Sequence, residues 1–396
     1  MSLWIGLALA LALLLYVAQR NLFLAMFAAA VALGVIALPF GGFLHQLYVT
    51  FSDLSVLSLA LVVATIAMIG GVLEESGGMG DLVKNMRIGK KPFLVFSPAL
   101  LGMLPMPGGA LLSAPMVEES GGELSGDNKA ALNVWFRHVL FFIYPLATAL
   151  IASVKIAGLE VYGVLPYLLP FFVVSLITGY YFTVRHAKEK MQYSGQFSLK
   201  GLLVPLSIIL SAPLVDLLLK IFVKPEVSEF ATLAGVLVSF LAAVLVSGYG
   251  REKLFDVAKK MEPWNFSLII LGMFAFLNVF KASGAPEALG ELNIPLPVLL
   301  VLVSFFLGVA TGRIQAPASI IIPIFLARFG GSSMPPMAFA ITYFSIFLGY
   351  VVTPVHPCVS ISINYFDTNL KAYLRRMIGP TLISLLVAVL LALFLL

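Results

Sequence analysis

Arg313 is a permanent cation inside an apolar run. Residues 306–325 read FLGVATGRIQAPASIIIPIF, and Arg313 is the one charged side chain among them. A guanidinium at depth in a bilayer costs at least a few kcal/mol, so an Arg in such a place is expected to have a functional task. Its fork of N–H donors fits a carboxylate or phosphate, often bidentately. The alternative is structural, with Arg313 capping carbonyls or pairing inside its own half of the chain. Gln315, two residues on, adds an amide. His356 stands between prolines in Thr353-Pro354-Val355-His356-Pro357-Cys358. It could carry a proton or hydrogen-bond an anion; a histidine satisfied by the break around it is the other reading.

Both residues lie at interruptions of apolar helices, and there are four such interruptions. The first is Pro105-Met106-Pro107-Gly108-Gly109, followed by Ser113. The second is Tyr144-Pro145-Leu146-Ala147-Thr148. The third is Thr311-Gly312-Arg313-Ile314-Gln315-Ala316-Pro317, followed by Ser319, and the fourth holds His356. A helix end leaves backbone groups unpaired, and within a membrane these must find protein, water or ligand. The N-terminus of a half-helix favours an anion. Unwound carbonyls and half-helix C-termini favour Na⁺. Any one proline could be no more than a kink. As a set, the breaks make Pro107, Gly108, Gly109, Ser113, Thr148, Thr311, Gly312, Arg313, Gln315, Pro317, Ser319, Thr353 and His356 the candidate substrate contacts. The candidate contacts for a coupling Na⁺ or H⁺ are Gly108, Ser113, Pro145, Thr148, Ala316, Thr353, Pro354 and His356.

The elements that position these breaks are transmembrane. The chain has 396 residues, 61% hydrophobic and 11% charged, with a mean hydropathy of +1.05. Soluble domains are nearer half apolar and a quarter charged. Ten full spans are expected, at 2–17, 22–40, 52–73, 130–156, 160–183, 200–222, 230–248, 263–280, 336–364 and 377–396, with re-entrant hairpins at 92–117 and 296–327. The fold class is therefore all-α and polytopic. The first segment has no basic n-region and no clear cleavage site, so it reads as a retained helix. With the N- and C-termini outside, 18 of the 24 Lys and Arg fall on the cytoplasmic side, leaving Lys155, Lys220, Lys224, Lys281, Arg313 and Arg328.

Several classes drop out. The net charge of +5 is spread over short loops, which is no nucleic-acid surface. One Cys and four scattered His are too few for a zinc or iron–sulfur site, so no metal is expected beyond a possible Na⁺. There is no H-E-x-x-H or Walker A sequence, so neither an intramembrane protease nor an ATP-driven pump is expected. Asp53 and Asp216 are the only aspartates within the spans, both peripheral, and Glu160 stands at a span end, which disfavours a proton antiporter built on a buried Asp pair. Arg137, His138 and Lys155 are expected to snorkel to an interface. The acidic run Glu118-Glu119…Glu123…Asp127 is expected to be a solvated loop.

The two halves, 1–196 and 197–396, repeat one another. Gly77 and Gly284 are 207 positions apart (284 − 77), Pro115 and Pro323 208 (323 − 115), and Pro145 and Pro354 209 (354 − 145). Gly121-Gly122 and Gly330-Gly331 keep the last offset. The charge count gives the halves opposite directions, so the repeat is of inverted topology, a design that supports alternating access around a midplane site.

This pattern of hairpin followed by broken helix, with Gly71-Val72-Leu73-Glu74-Glu75-Ser76-Gly77-Gly78 at a span end, resembles the ion transporter superfamily. That group includes divalent-anion/sodium symporters and citrate, gluconate and arsenite permeases, and the chain looks most like an uncharacterised prokaryotic integral-membrane family within it. The resemblance implies an elevator mechanism. Hairpins and broken helices would form the mobile part, and the helices of 2–40 and 200–248 a scaffold and homodimer interface. The dicarboxylate members carry Ser-Asn-Thr at the hairpin tips; PMPGG and TGRIQAP stand here instead. The expectation is a plasma-membrane secondary transporter, not an enzyme, for a small organic anion coupled to Na⁺ or H⁺. A sodium/proton exchanger, an efflux carrier or an anion channel are the alternatives.

Overall fold

The computed structural model describes residues 2–106, 108–188, 193 and 196–396. All regular elements among them are helical. The first half contains α1 (Ser2–Val17), α2 (Leu22–Ala37), α3 (Phe40–Ser52), α4 (Leu54–Glu75), α5 (Gly78–Lys84), α6 (Lys90–Gly102), α7 (Ala110–Gly121), α8 (Gly126–Val139), α9 (Thr148–Ile156) and α10 (Val161–Gly179). The second half follows the same order. It contains α11 (Leu199–Phe222), α12 (Ser228–Ser247), α13 (Arg251–Met261), α14 (Pro263–Ala282), α15 (Ala285–Gly290), α16 (Ser304–Thr311), α17 (Gln315–Phe329), α18 (Pro336–Val352), α19 (Pro357–Tyr365) and α20 (Leu370–Leu395). A wider-pitched π turn at Val298–Val303 leads into α16.

Local chemistry sets the boundaries. Asn21, Asp53, Ser198 and Asn369 each accept a backbone N–H from the first turn of the helix they precede, replacing a bond that the helix start lacks. Gly77 and Gly284 adopt left-handed φ values of 78° and 73°, turning α4 into α5 and α14 into α15 at equivalent points. Asn369 also explains why the last helix starts at Leu370 rather than 377. Its first two turns carry Lys371, Arg375 and Arg376, which a hydropathy reading discards.

Among the described residues, seven segments are long and apolar enough to cross a bilayer by length and composition, and shorter apolar helices accompany them. Helices α1 and α2 have 16 residues each, about 24 Å of rise against a hydrocarbon core of roughly 30 Å. The span expected at 130–156 is α8 and α9 with an unwound stretch between them. Helices α3 and α13 were not anticipated. Each is short (13 and 11 residues) and sits between the second and third long elements of its half. The end of α2 before Pro39 and the charges of Arg251–Lys260 separate them from their longer neighbours.

Burial sorts centre from rim. In the most apolar 18-residue stretch of each, 78% of the residues of Pro336–Tyr365 and 72% of those of α4 are buried, against 28% for α11 and for α20. The rim helices carry exposed Leu, Val and Phe along their length, such as Leu214, Leu241, Leu386 and Phe394. With no water to bury them from, such faces belong against lipid tails. The chain is a multi-pass membrane protein. Residues of all four breaks come together around one cavity.

Candidate functional site

Glycines let the broken segments touch. A Cβ on Gly102, at the end of α6, would lie 1.7 Å from the Arg137 carbonyl oxygen, so α6 and α8 meet backbone to backbone. A Cβ on Gly109, just before α7, would lie 2.0 Å from Arg137 Nη2. The guanidinium thus rests in the space that the missing side chain leaves. Nη1 of Arg137 donates to Ser113 Oγ at 3.3 Å, and Ser113 Oγ donates to the Ala110 carbonyl. In the second half, Gly312 closes α16 with φ 59°, and a Cβ there would lie 3.0 Å from His356 N. Gly308 and Gly349 bring α16 against α18, with Cβ positions 2.4 Å from the Ile346 oxygen and 2.1 Å from the Phe305 oxygen. Each hairpin tip therefore seats on the broken helix of its own half.

Where the seats meet, a cavity of about 380 Å³ opens, a size suited to a small molecule. Arg137, His138, Arg313, Gln315, Tyr350, His356 and Cys358 line it, with Gly108, Gly109 and Thr148. His356 stacks on Tyr350 with ring centroids 3.9 Å apart, and His138 stands edge-on to His356 at 4.7 Å. The far wall is the start of α14, and exposed Glu262 and Asn265 sit at the mouth. Glu262 is the only carboxylate among the described residues that line the cavity, and it accepts a hydrogen bond from Asn265. Among the described residues neither Arg137 nor Arg313 has a carboxylate partner; the ion pairs of the chain lie elsewhere. The wall therefore presents two guanidinium groups that form no ion pair among the described residues.

Six sequence-predicted residues reach this cavity: Gly108, Gly109, Thr148, Arg313, Gln315 and His356. Others shape it from behind. Ser113 holds Arg137. Thr311 Oγ1 donates to the Leu307 carbonyl and accepts from Arg313 N, fixing the turn that presents Arg313. Thr353 Oγ1 accepts from Val355 N across the second break. Ser319 Oγ is spent on the Ala316 carbonyl within α17. Gly312, Pro317, Ala316 and Pro145 pack outside the lining, and Pro354 is exposed, its carbonyl accepting from Ser360 Oγ. Pro107 lies outside the described residues.

Several expectations fail here. Arg137 and His138 do not snorkel. They are 4% and 3% exposed and line the cavity, because the unwinding after Val139 aims the end of α8 inward. The histidines are not all scattered, since His138 and His356 meet beside Cys358. Tyr350 and Cys358 were not anticipated as lining residues. The available signal was a polar pair, Arg137-His138, only a few residues before a proline break. Lys155 is held by Glu229 at 2.8 Å and by the Ser55 hydroxyl. Asp216 is buried among Tyr162, Thr232 and Lys220. The acidic run is tied down, Glu118 to Lys129 and Glu123 to Lys90 at 2.7 Å each, and Asp127 to Arg376 at 2.5 Å.

The sequence matches one family profile along residues 6–395, described as "Protein of unknown function (DUF401)". The chain belongs to this family. Among solved structures, the DUF401 chain resembles the crystal structure of the Alcanivorax borkumensis YdaH transporter, described as having an unusual topology. The TM-score is 0.61 at 15% identity, over 98% of this chain and 97% of that one. At that identity the likeness speaks for the fold of this DUF401 member. No curated protein matches its sequence significantly.

Proposed function

We propose that the chain is a secondary active transporter that moves a small organic anion across the plasma membrane, coupled to Na⁺ or H⁺. The observation that carries this is the cavity at the junction of four helix breaks, with Arg137 and Arg313 on its wall and no carboxylate paired to either among the described residues. A buried charge without a counter-ion costs several kcal/mol, and an anionic ligand offsets that cost. A transporter among the solved structures with this fold agrees with the reading, as does the arrangement typical of the ion transporter superfamily.

The repeated element order supports two halves of inverted topology, with the termini outside and hairpins plus broken helices moving as one unit against α1, α2, α11 and α12. With that orientation the cavity mouth at Glu262 and Asn265 lies on the cytoplasmic side, so the state described is open inward. For a coupling cation, the unwound stretches before Thr148 and His356 offer carbonyls, and Asn133 Oδ1 near α7 and α19 is a buried acceptor without a partner among the described residues. Homodimerisation through the scaffold completes the proposal.

Purified protein in liposomes tests it. Labelled mono-, di- and tricarboxylates are offered under an imposed Na⁺ or pH gradient. Saturable, gradient-driven uptake of one acid that is lost in the double variant Arg137→Gln/Arg313→Gln supports the proposal. Uptake that neither gradient drives, or that the double variant retains, defeats it.

A further inference from the structure

We infer that His138, His356 and Cys358 form a site for a soft divalent metal ion of the zinc type on the wall of this cavity. One donor atom from each residue lies within 4.8 Å of the others. Tetrahedral bonds of about 2.0–2.3 Å place ligand atoms roughly 3.3–3.6 Å apart, so the side chains need to close by about an ångström. The ring orientations favour this. His138 Nδ1 lies 2.7 Å from the Val134 carbonyl, and His356 Nδ1 lies 3.1 Å from the Tyr350 carbonyl. A carbonyl can only accept, so each Nδ1 carries the hydrogen and each Nε2 keeps a free lone pair. Neither Nε2 has a hydrogen-bond partner among the described residues, although the two side chains are 3% and 2% exposed. Donation of the far N–H to a backbone carbonyl is the usual way a ligating imidazole is oriented. Imidazole with a thiolate is a donor set that suits zinc over magnesium or calcium.

Three protein ligands leave one position open. That position faces the cavity. Arg137 and Arg313 would repel a bare dication, but a thiolate removes one unit of charge and a carboxylate at the open position removes another. The metal and the organic anion would then bind together, the carboxylate bridging metal and guanidinium. This last step rests on the anion reading above; the three-ligand site does not. Because the ligands come from the end of α8 and the first turn of α19, the ion would also pin the broken helices of the two halves to each other.

Co²⁺ alone is the probe, added to detergent-purified full-length protein with no carboxylate present. The chain has one cysteine, so a thiolate-to-cobalt charge-transfer band can arise only at Cys358. The expected result is a saturable band at one equivalent, abolished in Cys358→Ser, displaced by Zn²⁺ and indifferent to Mg²⁺. In His138→Gln and His356→Gln, checked by elution as the wild-type particle, the band should need at least tenfold more Co²⁺. In the wild type, Zn²⁺ should slow alkylation of Cys358 at least tenfold. No band in the wild type overturns the inference, and so does a band that both histidine variants retain at wild-type affinity. Adding citrate or succinate afterwards tests the shared site separately. A metal band that no carboxylate sharpens keeps the metal site and removes the bridging step.

Discussion

Replacing Arg137 by Met should raise the stability of the empty protein while removing its response to anions. Arg137 is 4% exposed, and its Nη1 donates to Ser113 Oγ at 3.3 Å. A fully buried unpaired charge costs several kcal/mol. The cavity beside it admits water, so the recoverable part is smaller. The lost hydrogen bond subtracts roughly 1 kcal/mol, since Ser113 keeps its bond to the Ala110 carbonyl. Methionine fills the stem's volume beside Gly109. The net gain works out at about 1–2 kcal/mol in the absence of ligand. In the presence of an anion the sign reverses. A charge-assisted bond contributes about 1.5–3 kcal/mol, which is a loss of roughly 10- to 150-fold in affinity. The assay is the apparent melting temperature in detergent at one fixed scan rate, without and with the carboxylate that stabilises the wild type best. An empty Arg137→Met protein that melts several degrees lower, with its anion response intact, would refute the reasoning. Arg137 would then be a tie between α6, α7 and α8 rather than a ligand group.

Three further predictions concern the frame. Gly102→Ala should sharply reduce the yield of folded protein, because the new methyl meets the Arg137 carbonyl oxygen, a backbone atom that no rotamer change can move; Gly163→Ala, with open space around it, should melt like the wild type. Lys155→Met and Glu229→Gln should each destabilise by about 2 kcal/mol or more, and the double variant by less than their sum, because breaking one side of a mostly buried pair strands the other charge; additive losses in a thermal double-mutant cycle would contradict a functioning bridge between α9 and α12. Glu123 is pulled two ways: burial raises its pKa, but hydrogen bonds from the Lys90 ammonium and from the backbone N–H groups of Glu123 and Lys188 outweigh that and lower it to about 2. Its folded pKa lies below the unfolded value near 4.5, so its stabilising effect is present above about pH 4.5 and lost as pH falls toward 2; Glu123→Gln should flatten that acid limb of the melting curve and leave pH 7–9 parallel to the wild type.

How legible the site was depends on which residue one asks about. Arg313 and Gln315 announced themselves because a charge and an amide in an apolar run have few explanations. Gly108, Gly109, Thr148 and His356 followed from proline and glycine, whose backbone effects are local and therefore readable. Arg137 and His138 were not readable by position along a helix. Their direction depends on where α8 unwinds, and that is set by Gly102, Gly109 and the seat of the hairpin, contacts made across 28 to 35 positions (137 − 109 and 137 − 102). The joining of His138 to His356 and Cys358 is longer still in sequence, and nothing local to any of them predicts it. The short helices α3 and α13 were missed for a different reason. Hydropathy finds segments long enough to span, and these are too short and too polar on one side to register.

The two halves share a skeleton but not their chemistry, and that asymmetry argues for one orientation of bound ligand. In the first half the cation comes from the broken helix, as Arg137, while the hairpin tip lines the cavity with Leu104, Pro105, Met106, Gly108 and Gly109, none of them charged. In the second half the cation comes from the hairpin, as Arg313, while the broken helix offers His356 and Cys358. Arg137 and Arg313 are 176 positions apart (313 − 137), not the 207 to 209 of the repeated landmarks, so the repeat in the sequence does not relate one guanidinium to the other. A ligand held by both cannot be turned end for end without meeting a different set of donors. A bound molecule with two distinguishable ends would therefore adopt one pose, with its acidic end drawn toward Arg137 and Arg313 and its remainder toward the apolar wall at Phe266 and Ile269.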